Sequence, residues 1–147
     1  MKAHIGADAQ SGLVHTVRGT SGNINDVVDG NSLLHGEETL AYVDAGCQGI
    51  DKRPDADKVV AWQMAMRPGK RKALDKDDPA DALIDKTEKM KSGIRAKVKH
   101  PFRVTKLQLG FVKVRYCGLK KNTARLFTLF ALSNLWWVRG KLMGAQA

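Results

Sequence analysis

No aspartate or glutamate occurs after Glu88: the last 59 residues hold fourteen lysines and arginines and not one carboxylate. That absence excludes a carboxylate metal ligand from this half of the chain. The first 60 residues, by contrast, contain five basic and nine acidic side chains, so the overall charge of +10 is concentrated downstream. A half of this kind suits phosphate backbones, bound through counterion release with an affinity that falls steeply with salt. Cysteine is almost as scarce. Cys47 and Cys117 stand alone, seventy residues apart, with no ligand spacing around them, which excludes a disulfide framework and a zinc site and fits a reducing, cytoplasmic setting. Long apolar runs are missing too. The most apolar stretch, residues 126–138, contains Thr128, Ser133 and Asn134; it is too short and too polar to span a bilayer and reads as a buried helix. No charged-then-apolar leader follows Met1, so nothing points to secretion or to a membrane. What remains, 147 residues with 43% hydrophobic content, is enough for one domain with a core.

The most informative stretch is residues 94–106. On a helix, Met90, Ile94, Val98 and Phe102 recur every four residues as an apolar stripe, while Arg95, Lys99, Arg103 and Lys106 form a second, cationic row. Like charges at this spacing repel by a few tenths of a kcal/mol, so the row does not serve helix stability. It is either a polyanion-binding face or a solvated basic face. Lys99, flanked by Arg95 and Arg103, is where a carboxylate would make electrostatic sense. Pro101 predicts a kink or break at His100.

Taken in order, residues 1–7 and 13–20 read as a β-hairpin across a turn-rich linker at 8–12. The first strand begins at Met1 with no preceding element, which reads as a truncated piece. Asn25 is placed to cap a helix through Leu34, closed by Gly36. Residues 39–43 form a short strand running into Asp44-Ala45-Gly46-Cys47-Gln48-Gly49. An aspartate at the carboxyl end of a strand is where open α/β sheets hold ligands and metal ions, and Asp before Gly is equally ordinary turn chemistry. Residues 51–57 read as a charged loop and residues 59–66 as an alternating strand. Residues 67–72 read as a basic turn, either phosphate-touching or simply solvated. Asp78 and Pro79 open a helix towards Lys99, continued from Pro101 to Leu109 and stopped by Gly110. Residues 111–118 are a short strand or an ordered loop. Asn122 is expected to cap a last helix from 123 to about 143; adjacent Trp136 and Trp137 could stack on bases, but in so apolar a helix they read as core.

Several of these segments together resemble a known family. The hairpin sequence Met1-Lys2-Ala3-His4-Ile5-Gly6-Ala7-Asp8, the Asp44 turn, Ala65-Met66-Arg67-Pro68-Gly69-Lys70 and Arg115-Tyr116-Cys117-Gly118-Leu119-Lys120-Lys121-Asn122 resemble the C-terminal half of bacterial insertion-sequence transposases of the DDE type. The resemblance covers nearly all 147 residues. It implies an α/β, ribonuclease H-like fold, here incomplete, lacking its first and central strand and ending in a helical part. One partial catalytic domain spans 1–147: hairpin 1–20, a helix, strands to about 66, and a basic helical half over 79–143.

In that family three carboxylates hold two divalent ions, Mg²⁺ by expectation. The second is matched by Asp44, which is thus the catalytic and metal-ligating residue retained, with Cys47 where tyrosine is usual. The family's helix pattern of Tyr, Arg, Glu and Lys falls on Ser92, Arg95, Lys99 and Lys106, so the arginine and the lysine match, and Lys99 replaces the catalytic glutamate. The family's first aspartate belongs to a strand upstream of the hairpin. The resemblance therefore implies a truncated, mutated transposase that does not cleave DNA, and the charge of its second half implies that it still binds DNA, both element ends and non-specific duplex, through Arg95, Arg103, Lys106, Arg115, Lys120 and Lys121. The alternative is a non-enzymatic basic fragment that self-associates or pairs with full-length transposase.

Overall fold

The computed structural model describes residues 1–144. Architecture is mixed α/β, about half helical, with small sheets. Two compact units emerge: Met1–Asn25 with the chain from Lys97 onward, and Asp26–Ala96.

The first unit begins with the expected hairpin, β1 (Lys2–Ala7) and β2 (Val14–Thr20), antiparallel, with Ile5 opposite Val17 and an irregularity between Gly6 and Ala7. Asp8 organises the turn by accepting from the Ser11 amide at 2.6 Å. The spacing of three between Val14 and Val17 does not follow the pleat's period of two; the irregularity opposite Gly6 and Ala7 leaves His15 as an extra residue and so brings both valines to one face, where they are buried. Buried Ile5, Val14 and Val17 meet Leu126 and Phe130 from the last helix, α4 (Leu119–Gly144). Asn134 of α4 clamps the start of β2, its Nδ2 donating to the Val14 carbonyl at 2.8 Å and its Oδ1 accepting from the Val14 amide at 2.9 Å.

α4 departs from expectation in two ways. It starts at Leu119, so Asn122 lies within the first turn rather than capping it. There it is buried, and its side chain donates to the carbonyls of Tyr116 and Gly118, at 2.6 and 2.8 Å, tying down the preceding loop. Residues 111–118 are that loop; no strand forms there. Nor are the tryptophans core: Trp136 is 37% and Trp137 44% exposed. Only the face carrying Leu126, Leu129, Phe130 and Ser133 is covered, whereas Leu132, Leu135, Leu142 and Met143 are exposed. A helix apolar all round can still have only one face packed, and hydropathy does not say which.

The second unit holds α1 (Asp26–Asp29) and a 3-10 turn (Asn31–Leu33) in place of the single helix expected up to Leu34. β3 (Leu40–Val43) pairs in parallel with β4 (Ala61–Met64), Tyr42 opposite Gln63. The stretch after β3 closes in short 3-10 turns, Ala45–Cys47 and Ile50–Lys52. The basic segment after β4 is a short helix, α2 (Pro68–Lys72), because Pro68 at its first position presets the helical φ.

The long helix α3 (Pro79–Arg103) contains Pro101 without breaking, and the boundary between the two units falls within it. Proline here forfeits one backbone bond and crowds the preceding turn, a cost of about 3 kcal/mol. That cost is met by packing, since Val98 and Phe102 on either side lie against the first unit's core and the Phe102 ring meets Phe130 edge-on at 5.3 Å. The irregularity appears three residues later, as a π-helix at Val104–Gln108 in which the Leu109 amide reaches back five residues to the Val104 carbonyl at 3.1 Å. Gly110, at φ +64°, then ends the helix as expected.

Candidate functional site

Asp44 stands at the carboxyl end of β3, where its backbone opens the Ala45–Cys47 turn. Its Oδ1 accepts from the Ala45 amide at 2.6 Å and lies 2.7 Å from the Arg95 guanidinium. Arg95 comes from α3. The pair is asymmetric in exposure, Asp44 being 65% accessible and Arg95 only 21%. Cys47, half-buried beside this turn, has its thiol pushed up by burial, then by the Asp26 and Asp44 carboxylates. It is held as the neutral thiol, a poor nucleophile.

What holds strand and helix in register is a buried group that the sequence reading passed over. Glu88 of α3 is 7% exposed; it accepts from the Met66 amide just past β4 at 2.8 Å and from Lys91 at 2.9 Å, while Lys91 also donates to the Met64 carbonyl at 3.2 Å. Burial works against the Glu88 charge, but the Met66 amide and Lys91 more than compensate, so its carboxyl lies below the usual range. Arg71 of α2 adds a surface pair to Asp85 of α3 at 2.6 Å. Only the i,i+3 spacing of Glu88 and Lys91 was visible in the sequence.

The cationic row is brought together only in part. Arg95 is spent on Asp44, and Met90, placed in the apolar stripe, is 65% exposed. Lys99 and Arg103, one and two turns beyond Arg95 on α3, are exposed, as is Lys106 within the π-helix. Arg115 lies exposed in the loop before α4, and Lys120 and Lys121 are exposed in its first turn. Lysines at a helix N-terminus oppose the macrodipole, so helix stability does not account for them. Chemically, the exposed members offer monodentate and bidentate contacts to phosphate oxygens. Of the residues assigned by resemblance to metal binding and catalysis, only Asp44 carries a carboxylate, and Arg95 neutralises it. This donor set does not fit a pair of divalent cations, which need several oxygen ligands.

Residues 1–135 match the family described as transposase DDE domain. No solved structure matches the chain. None of its helices, among the described residues, is long and apolar enough to cross a membrane.

Proposed function

Because the chain belongs to the transposase DDE domain family, whose members normally use a divalent metal, we propose that it is a DNA-binding member that does not cut DNA. The carrying observation is the Asp44–Arg95 ion pair at 2.7 Å, together with a lysine at position 99, where the family's glutamate is expected. Carboxylates hold the family's cations, and here one is closed by a guanidinium and another is replaced by an ammonium. A ribonuclease H-like arrangement, Asp44 as the retained acid and Lys99 as the lost one belong to this reading. DNA is held by Lys99, Arg103, Lys106, Arg115, Lys120 and Lys121, whose contacts to phosphate carry no sequence preference. Work on DNA places the chain in the cytoplasm.

The test is a supercoiled-plasmid nicking assay in Mg²⁺, beside a gel-shift assay on the same DNA. The chain and its Lys99→Glu variant are both expected to shift DNA and leave it uncut, since one restored acid still lacks a complete set of ligands. Nicking that vanishes in Asp44→Ala would overturn the inactivity. Nicking that survives Asp44→Ala would show that the site lies elsewhere.

A second reading, association with another chain of the family, draws on one observation: α4 leaves Leu132, Leu135, Trp136, Leu142 and Met143 exposed on its outer side. Contiguous apolar surface of this kind marks protein contacts. A monomer by light scattering at high concentration, alone and mixed with an intact transposase, would remove this reading.

A further inference from the structure

The first unit contains a pocket of about 340 Å³ that none of the proposed DNA contacts explains. Phe102, Phe111, Leu126 and Phe130 wall it, and Thr105 lines it from the π-helix. Thr105 is 2% exposed, and its hydroxyl has no hydrogen-bond partner. An unmet hydroxyl at that depth destabilises the fold, and π-helical turns concentrate at functional sites. Lys106 and Lys113, both exposed, also line the pocket.

We propose that this pocket binds a small amphiphilic carboxylate, with an apolar body against the phenylalanines and its charged end between Lys106 and Lys113, the Thr105 hydroxyl, closed off from solvent in the free protein, turning towards the pocket to meet it. Charge complementarity selects an anion: the last 59 residues supply no acid to neutralise these cations. The walls exclude a bare phosphate, which would surrender its hydration to phenyl rings. Size sets the scale: at ~30 Å³ for the share of one water in the liquid, the space takes about eleven non-hydrogen atoms. This site stands apart from the DNA-binding reading and shares one residue with it, Lys106, so occupancy of the pocket withdraws one phosphate contact.

The experiment is calorimetric titration of the full chain with phenylbutyrate, an aromatic carboxylate of matching size, against phenylbutanol and inorganic phosphate. Saturable one-to-one binding of phenylbutyrate is expected, with phenylbutanol at least tenfold weaker and phosphate silent. Lys106→Gln combined with Lys113→Gln should erase the preference for the carboxylate over the alcohol. Thr105→Val is the decisive variant. It keeps the shape and removes the unmet hydroxyl, so the free protein should melt at the same or a higher temperature while phenylbutyrate binds several-fold more weakly. Equal binding of alcohol and acid, no saturable binding, binding unchanged in both variants, or a lowered melting temperature in Thr105→Val would each overturn the proposal.

Discussion

Glu88 shows how a single side chain governs the geometry around Asp44. β3 delivers Asp44, β3 pairs with β4, and the end of β4 is fastened through Met66 and Met64 to Glu88 and Lys91 of α3, the helix that carries Arg95. Glu88→Gln removes the charge and leaves Lys91, itself 16% exposed, without its counterion. Breaking a buried pair on one side costs about 3 kcal/mol or more, so urea unfolding at neutral pH should show a loss of that order. The pH dependence has a definite sign. The folded carboxyl titrates below its unfolded value of about 4.3, so its contribution is present above that pH and is lost as pH falls through the depressed folded pKa. The Glu88→Gln deficit should therefore shrink on acidification below about pH 4. A deficit that stays constant from pH 7 to pH 3 would show that Glu88 acts through shape and not charge.

Among the elements, legibility followed locality. The hairpin, the strand into Asp44, the Pro79 start of α3 and the Gly110 stop were readable because turn residues, alternation and capping are written within a few positions. Pro101 does not end its helix because the packing of Val98 and Phe102 that holds it is long-range. Trp136 and Trp137 misled because composition cannot choose which face of an apolar helix is covered; Trp137 is instead held at the surface by donating to the Ser11 carbonyl at 2.7 Å and by a tilted ring contact with His100, centroids 4.1 Å apart. In the site, Asp44 was legible as an acid at a strand end, but its engagement by Arg95, 51 positions away, was not. Gly19 records the same kind of long-range demand. A Cβ there would collide with the Thr123 hydroxyl of α4 and crowd the Met1 methyl, so the hairpin lies against the helix only because position 19 lacks a side chain. Gly19→Ala should destabilise by about 1–3 kcal/mol through overpacking. Thr123→Ala in the same chain should recover most of that loss in thermal unfolding. No recovery would place the strain elsewhere.

Across the whole molecule, the separation of charge decides how DNA binding responds to salt. An acid-free run of 59 residues has almost no internal pairing to give up, so each exposed cation that meets a phosphate releases a counterion at little cost, adding about 0.9 to the slope of log affinity against log salt. Lys91 and Arg95 are the exceptions: Lys91 is paired with Glu88, and contacting DNA would strip Arg95 from Asp44. Two neutralising variants on one helix therefore separate paired from free cations. Lys99→Gln with Arg103→Gln should lower the slope by about 2 and weaken binding uniformly across duplex sequences. Arg95→Gln should leave the slope nearly unchanged, since the guanidinium it removes was already neutralised within the protein. Asp44→Asn is the complementary change. It frees Arg95 for phosphate, so the slope should rise by up to about 1, and that gain should disappear when Arg95→Gln is added. Filter binding on one duplex between 50 and 300 mM salt measures all four. If Arg95→Gln lowers the slope by about 1, half the drop of the Lys99→Gln, Arg103→Gln double variant, the ion pair does not survive DNA binding, and Asp44 is released whenever the chain engages its polyanion.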